Sequence, residues 1–262
     1  FNLIFSQLND QRQGSELDNP FLYGLRLGLK PHPFVEVGGS HLVLFGGPGR
    51  RDMTLREILA TLYSNSNRDN EKTDSNQQFA VDLAITLPNI QKYIFIANGI
   101  RLYGEIGAED SGYPPDTRAY LAGLAIYKPF LLDGAVLRAE YAILSPDRAP
   151  AAWYSHGSYP MRYEGRAFGH HAGSDAEDLF VEWSHHLDKL FYKIGFDLER
   201  SGIQRKAHTQ TKYQYFGEAG WQFNTFSRIT LRYMYEQVQN AGNVSGEELM
   251  NHYLGVEAAL HF

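Results

Sequence analysis

Apolar residues recur at every second position near the C-terminus, and this period limits how the chain can fold more than any other feature. Counting back from Phe262, the even positions are Leu260, Ala258, Val256, Leu254, His252 and Met250. The odd ones are His261, Ala259, Glu257, Gly255, Tyr253, Asn251 and Leu249. A repeat of two sends successive side chains to opposite faces of a strand, so such a segment separates two media. The pattern recurs upstream. Ile229, Leu231, Tyr233 and Tyr235 oppose Arg228, Thr230, Arg232 and Glu236, while Tyr213, Tyr215, Ala219, Trp221 and Phe223 oppose Gln214, Glu218 and Gln222. Leu190, Tyr192, Ile194, Phe196 and Leu198 oppose Lys193, Asp197 and Glu199, and Leu179, Val181, Trp183 and Leu187 oppose Glu182, Ser184 and His186. Ala135 to Ile143 and Val81 to Leu87 alternate likewise, and 20–30, 33–46, 91–108 and 117–129 do so less cleanly.

About twelve strands are predicted. Short connections at Lys30–Pro33, Pro88–Ile90, Leu132–Gly134, Leu187–Lys189 and Asn224–Thr225 alternate with long ones near 9–19, 46–77, 108–117, 145–176, 201–209 and 240–248. This is the layout of an all-β fold, an antiparallel up-and-down transmembrane β-barrel with a short loop helix, read as one domain over 1–262. Residues 46–77 and 145–176 are its long extracellular or plug loops. A β-sandwich has shorter strands and does not sort its loops by end. A soluble lipocalin-type barrel turns its apolar face inward. Tyr213, Trp221, Phe223, Trp183, Tyr235 and Phe21 share the apolar face near strand ends, as membrane-interface girdles do. The closing Phe262 resembles the insertion signal of bacterial outer-membrane barrels, so that membrane and its lipid are the expected surroundings.

Composition excludes other classes. With 24 Lys and Arg against 30 Asp and Glu, the net charge of −6 argues against nucleic acid as a partner. Without cysteine there is no disulfide, thiolate metal site or Cys nucleophile. Every apolar run is too short for a transmembrane helix. The opening FNLIFSQL reads as mid-strand, so upstream strands are expected beyond this sequence.

On the barrel reading the charged faces line the lumen: Arg26, Glu36, Asp82, Arg101, Glu105, Arg138, Glu140, Glu182, Lys193, Asp197, Glu199, Arg228, Arg232, Glu236 and Glu257. Both signs are interspersed. A selective pore concentrates one sign at a constriction, so a crowded or plugged interior is expected. Within 46–77, Thr54-Leu55-Arg56-Glu57 has capping-box spacing, and Ile58, Leu59, Leu62 and Tyr63 form an apolar stripe ending at the polar run Ser64–Asn70. This helix is expected to fold over the barrel mouth or inside it, in preference to lying on the membrane surface.

An ordered set of segments resembles the Wzi family of capsule-assembly outer-membrane proteins. They are Leu25-Arg26-Leu27 through Lys30-Pro31-His32-Pro33, Phe45-Gly46-Gly47-Pro48-Gly49-Arg50, Arg68-Asp69-Asn70 and Asn76-Gln77-Gln78-Phe79. Further on come Tyr103-Gly104-Glu105-Ile106-Gly107-Ala108-Glu109-Asp110, Glu140-Tyr141, Tyr163-Glu164-Gly165-Arg166 and Gly169-His170-His171. The resemblance implies a lectin-like outer-membrane barrel that binds capsular or extracellular polysaccharide and aids capsule assembly, without enzyme activity or a cofactor. Capsule-export or surface-complex proteins are candidate partners. The family barrel has about eighteen strands behind a helical segment, more than are counted here, which again points to an absent N-terminal portion. The residues leave a porin or transport channel for small solutes or saccharides as the alternative.

The segment Trp153 to Tyr163 is the most site-like. Aromatic rings stack on the apolar faces of sugars, and planar polar groups bond their hydroxyls. Trp153, Tyr154, His156, Tyr159, Arg162, Tyr163 and Arg166 are the candidate glycan contacts; equally, the loop's aromatics could pack as a plug. A metal site from His156, His170, His171, Asp175 and Asp178 is disfavoured, because adjacent histidines in a strand point apart. Asp110, Asp116, Asp175 and Asp178 show no spacing specific to a glycosidase pair. Gly46–Arg51 lacks the Lys-Ser/Thr ending of a phosphate loop and reads as a turn.

Overall fold

The computed structural model describes residues 1–9, 18–48, 53–63, 74–93, 96–109, 118–144, 153–164 and 166–260. The expected helix-ending run Ser64–Asn70, Asp110, Asp116 and the terminal Phe262 lie outside these residues. The strands are β1 (Asn2–Gln7), β2 (Phe21–His32), β3 (Val35–Phe45), β4 (Ser75–Pro88), β5 (Gly99–Glu109), β6 (Arg118–Tyr127) and β7 (Ala135–Leu144). They continue as β8 (Arg162–Tyr163), β9 (Arg166–Ala167), β10 (Ala176–Leu187), β11 (Leu190–Ser201), β12 (Gln210–Asn224), β13 (Ser227–Gln239) and β14 (Glu248–Leu260). Among the described residues one α-helix, α1, covers Leu55–Tyr63. Twelve strands form one sheet in chain order, β1 to β7 and then β10 to β14, while β8 and β9 pair as a separate hairpin. The predicted meander is therefore present. From β2 onward the sheet strands run 10 to 15 residues, enough to cross a bilayer core at a tilt.

Two compact units divide the chain: Phe1–Leu83, Glu105–Tyr120 and Ile143–Asp175 in one, Ala84–Gly104, Leu121–Ala142 and Ala176–Phe262 in the other. The boundary runs through β4, β5, β6 and β7 rather than along a linker.

The second unit keeps its two faces distinct across strands. Cross-strand partners share a face, and one row runs Trp183, Ile194, Gly217, Tyr233, Leu254. The next apolar row runs Val181, Phe196, Tyr215, Tyr235, His252. On the opposite face the charges form a ladder of alternating sign. Lys193 meets Glu218 at 3.5 Å, Arg232 lies 2.7 Å from both Glu218 and Glu257, and Arg228 reaches Glu257 at 3.4 Å. Arg138 pairs with Glu140, and Tyr103 donates its hydroxyl to Glu140 at 2.7 Å. Arg101 donates to the Thr86 hydroxyl at 3.5 Å.

One expected strand start is wrong. Residues 91–98 alternate on paper, but Asn89 adopts a left-handed φ of 56° and a single 3-10 turn follows over Ile90–Lys92. The Ile90 amide then bonds the Asn98 carbonyl at 2.9 Å, closing a loop where a tight turn had been expected.

In the first unit, β2, β3 and β4 present an apolar face carrying Phe21, Tyr23, Val43 and Phe45. Their polar face carries Arg26, paired with Asp82 at 2.9 Å, and Glu36, held by Lys30 at 3.1 Å. Gly38 leaves room for this pair: a Cβ there would meet the Asp82 carboxylate and push it aside. The capping box forms as expected, with the Thr54 amide donating to Glu57 at 2.6 Å and the Glu57 amide to the Thr54 hydroxyl at 3.4 Å. The helix itself does not go where expected. Its Ile58 and Leu62 pack with Phe21, Tyr23, Val43 and Phe45, on the apolar face of the sheet rather than against the polar one. An apolar stripe gains most against apolar side chains, and on the other face Leu22 and Leu44 are already covered by Tyr159 and Met161.

Candidate functional site

The opposite face of the same strand ends is covered by residues 153–168. Leu22 and Leu44, on the polar-face parity, pack with Leu8, Tyr159 and Met161, and Leu42, Tyr154, Tyr163 and Phe168 surround them. The ends of β2, β3 and β4 are thus layered between α1 on one side and this loop on the other.

A polar hub holds the loop down. Glu109, at the end of β5 and 2% exposed, accepts N–H bonds from Asn76, Gln78 and Tyr154 among the described residues. Asn76 donates to Oε1 at 3.0 Å, Gln78 to Oε2 at 3.0 Å, and the Tyr154 backbone amide to Oε2 at 2.7 Å. Asn76 also donates to the Tyr159 carbonyl at 3.0 Å. Trp153 lies over Gly107, where a Cβ would come within 2.8 Å of the indole. His156 organises the turn: its Nδ1 accepts the amides of Ser158 at 3.1 Å and Tyr159 at 3.0 Å, while Nε2 lies 3.4 Å from Asp74. Tyr154 adopts a φ of 60°, strained for an aromatic residue, and its hydroxyl accepts the His170 amide at 2.9 Å. Burial pushes this phenol up to about 12, with Glu109 and Glu105 adding to the rise and the His170 amide opposing it.

The candidate contacts therefore separate. Trp153 and Tyr159 are 5% and 1% exposed and pack the loop against the sheet, so a polymer cannot reach their rings as they stand. The His156 side chain is nearly buried as well, at 9% exposed; Tyr154, Arg162 and Tyr163 are half-buried, and Arg166 is exposed on the β8–β9 hairpin. Tyr163 also donates to the Asn9 carbonyl at 3.5 Å. His170 and His171 lie outside any strand, and their rings stack at 4.5 Å instead of pointing apart. Sequence reasoning missed Glu109, Asn76, Gln78 and Asp74 as determinants of the site. A signal for them exists: Asp74-Ser75-Asn76-Gln77-Gln78 is polar at both parities where the strand should alternate, and all five residues are buried.

Comparison with known proteins bears on the family and the fold. The family described as "Capsule assembly protein Wzi" matches residues 1–252. No curated protein matches the chain. Among solved structures, Wzi of Escherichia coli, described as an outer membrane protein involved in group 1 capsule assembly and a carbohydrate-binding β-barrel, superposes with a TM-score of 0.70 at 13% identity. The superposition covers 98% of this chain and 54% of that one, so this chain spans about half the length of that protein. At that identity the likeness is one of fold, a β-barrel built from an antiparallel meander. With the family matched over nearly its whole length, the chain belongs to the Wzi family of capsule assembly proteins.

Proposed function

We propose that this protein binds capsular or extracellular polysaccharide at the outer membrane through the solvent side of the loop at 153–171, and that it binds without catalysis. Family membership and the described activity of the Escherichia coli protein support the ligand class. One observation carries the assignment of the surface. Trp153 and Tyr159 are spent inward, leaving Arg166 exposed and Arg162 half-exposed on a two-stranded hairpin, with the half-exposed Tyr163 ring between them backed by the buried cluster. Guanidinium and phenol groups bond sugar hydroxyls and any acidic substituents, and a rigid backing lowers the entropy lost on binding. A repeating polymer engages many copies, so each site can be weak. Outer-membrane lipid faces the apolar rows, and the polar face with Arg26, Arg101, Glu105, Arg138, Glu140, Arg228 and Arg232 turns inward.

The test is triple replacement of Arg162, Tyr163 and Arg166 by Ala in the full-length protein. Retention of polysaccharide on cells is measured alongside heat-modifiable mobility as a check of folding. Losing ~1 kcal/mol per site lowers monovalent affinity about fivefold, and multivalency enlarges that loss. Unchanged retention by a folded variant rejects the hairpin as the binding surface.

A further inference from the structure

Helix α1 carries more apolar surface than the sheet beneath it uses. At ~100° per residue, Ile58, Leu62, Leu55 and Leu59 lie in that order around one continuous arc of the helix. Ile58 and Leu62 meet Phe21, Tyr23, Val43 and Phe45. Leu55 and Leu59 are 73% and 46% exposed. They flank the packed stripe, while the exposed Arg56 and Ala60 continue around the helix away from the sheet.

What adjoins this stripe is the exposed apolar band of the strands. The Phe5 ring, 60% exposed, lies 6.1 Å from Phe21 and 6.3 Å from Phe45, two residues that α1 covers. Gln77, which donates to the Thr61 carbonyl of α1 at 2.8 Å, is two residues from Phe79 on the same face of β4. Phe79, Val81 and Leu83 follow along that face, each exposed. Two residues of a strand span ~7 Å. The helix therefore begins where the lipid-facing band ends, and it continues the same face with a two-leucine stripe.

We propose that α1 is a membrane-interface element, seated on the barrel wall, whose Leu55 and Leu59 enter the boundary between headgroups and acyl chains. This rests on the outer-membrane reading of the strands. The occupant is lipid because the stripe is continuous with a surface that lipid already covers. Short amphipathic helices bind at this depth through a few large apolar residues. Such a seat clamps the root of the neighbouring long loop at a fixed height on the wall.

These 262 residues contain no cysteine, so once any cysteine outside them is replaced by Ser, each single-cysteine variant of the full-length protein reports one position. Leu59→Cys, Arg56→Cys and Val81→Cys are labelled with an environment-sensitive fluorophore. Each is reconstituted in two sets of phosphatidylethanolamine–phosphatidylglycerol vesicles, with acyl chains brominated close to the glycerol in one and near the chain end in the other, so that shallow and deep positions are both read. Burial ~5–10 Å below the headgroups gives on the order of threefold stronger quenching at position 59 than at 56. Leu55→Cys, on the same stripe, repeats the reading should the first variant insert poorly. Quenching at 81 without quenching at 55 or 59 overturns the proposal and leaves the barrel intact. A blue-shifted but unquenched probe at 59 means that protein covers the stripe and overturns it equally. Absence of quenching at 81 as well removes the barrel reading on which the proposal stands.

Discussion

A buried carboxylate with three donors aimed at it can be replaced only at a cost. If Glu109 becomes Ala, the Gln78 amide and the Tyr154 backbone N–H lose their acceptor, and Asn76 keeps only the Tyr159 carbonyl. Each stranded buried donor costs ~1–3 kcal/mol. Glu109→Gln restores one oxygen but turns an NH₂ toward donors. Glu109→Ala is therefore expected to release the loop by roughly 3 kcal/mol and Glu109→Gln by about half of that, read as protease cleavage between 153 and 164 while the strands stay protected. Tyr154 sets a pH limit on the same contact. Its phenol ionises at about 12 in the folded loop, against ~10 for a free tyrosine. Below the lower value both states are neutral and the contribution is complete. Between the two, only the released loop ionises, so stability falls as pH rises through that window. Alkaline titration followed by tryptophan emission should show this step, and Tyr154→Phe should abolish it.

Among the elements, the strands were legible and the layers at their ends were not. Alternation from Trp183 to Leu254 is what a wall between two media demands, and on the proposed membrane reading those media are lipid and a polar interior. The matched registers of β10 to β14 keep those faces continuous. Where protein covers both faces the code fails: Gln77 faces α1, Asn76 and Gln78 face Glu109, and the strand start reads simply as polar. The capping box announced α1, but nothing local says which side of the sheet a helix will choose. In the loop, Trp153 to Tyr163 carried the right chemistry for sugars, and only packing revealed that Trp153 and Tyr159 serve as the inner layer. Gly107 tests that layer at the level of two elements meeting. A Val there puts side chain where the Trp153 ring lies. The loop is expected to lose ~1–3 kcal/mol from overpacking, seen as a red shift in tryptophan emission, whereas Gly28→Val, with open space around it, should leave the spectrum unchanged.

For the molecule as a whole, function depends on which medium wets which face. Leu231 occupies the apolar row between Ala219 and Val256, 50% exposed, in the middle of β13. Asn251, half-buried on the other face of β14, donates to Glu236 at 2.8 Å. Adding one positive charge at each position distinguishes the two surroundings. On a lipid-facing strand an Arg near the bilayer midplane costs ~2–4 kcal/mol, because its charge loses water without gaining a partner. On the inward face a new Arg at 251 finds the Glu236 carboxylate and solvent, and exposed pairs of that kind contribute ~0–1 kcal/mol. Denaturant unfolding from vesicles should therefore show Leu231→Arg destabilised by several kcal/mol and Asn251→Arg within about 1 kcal/mol of the parent. The reverse order would mean that water bathes the greasy rows and that the charge ladder of Lys193, Glu218, Arg232 and Glu257 is the buried core. In that case the hairpin carrying Arg162 and Arg166 would not stand at a cell surface where polysaccharide could meet it.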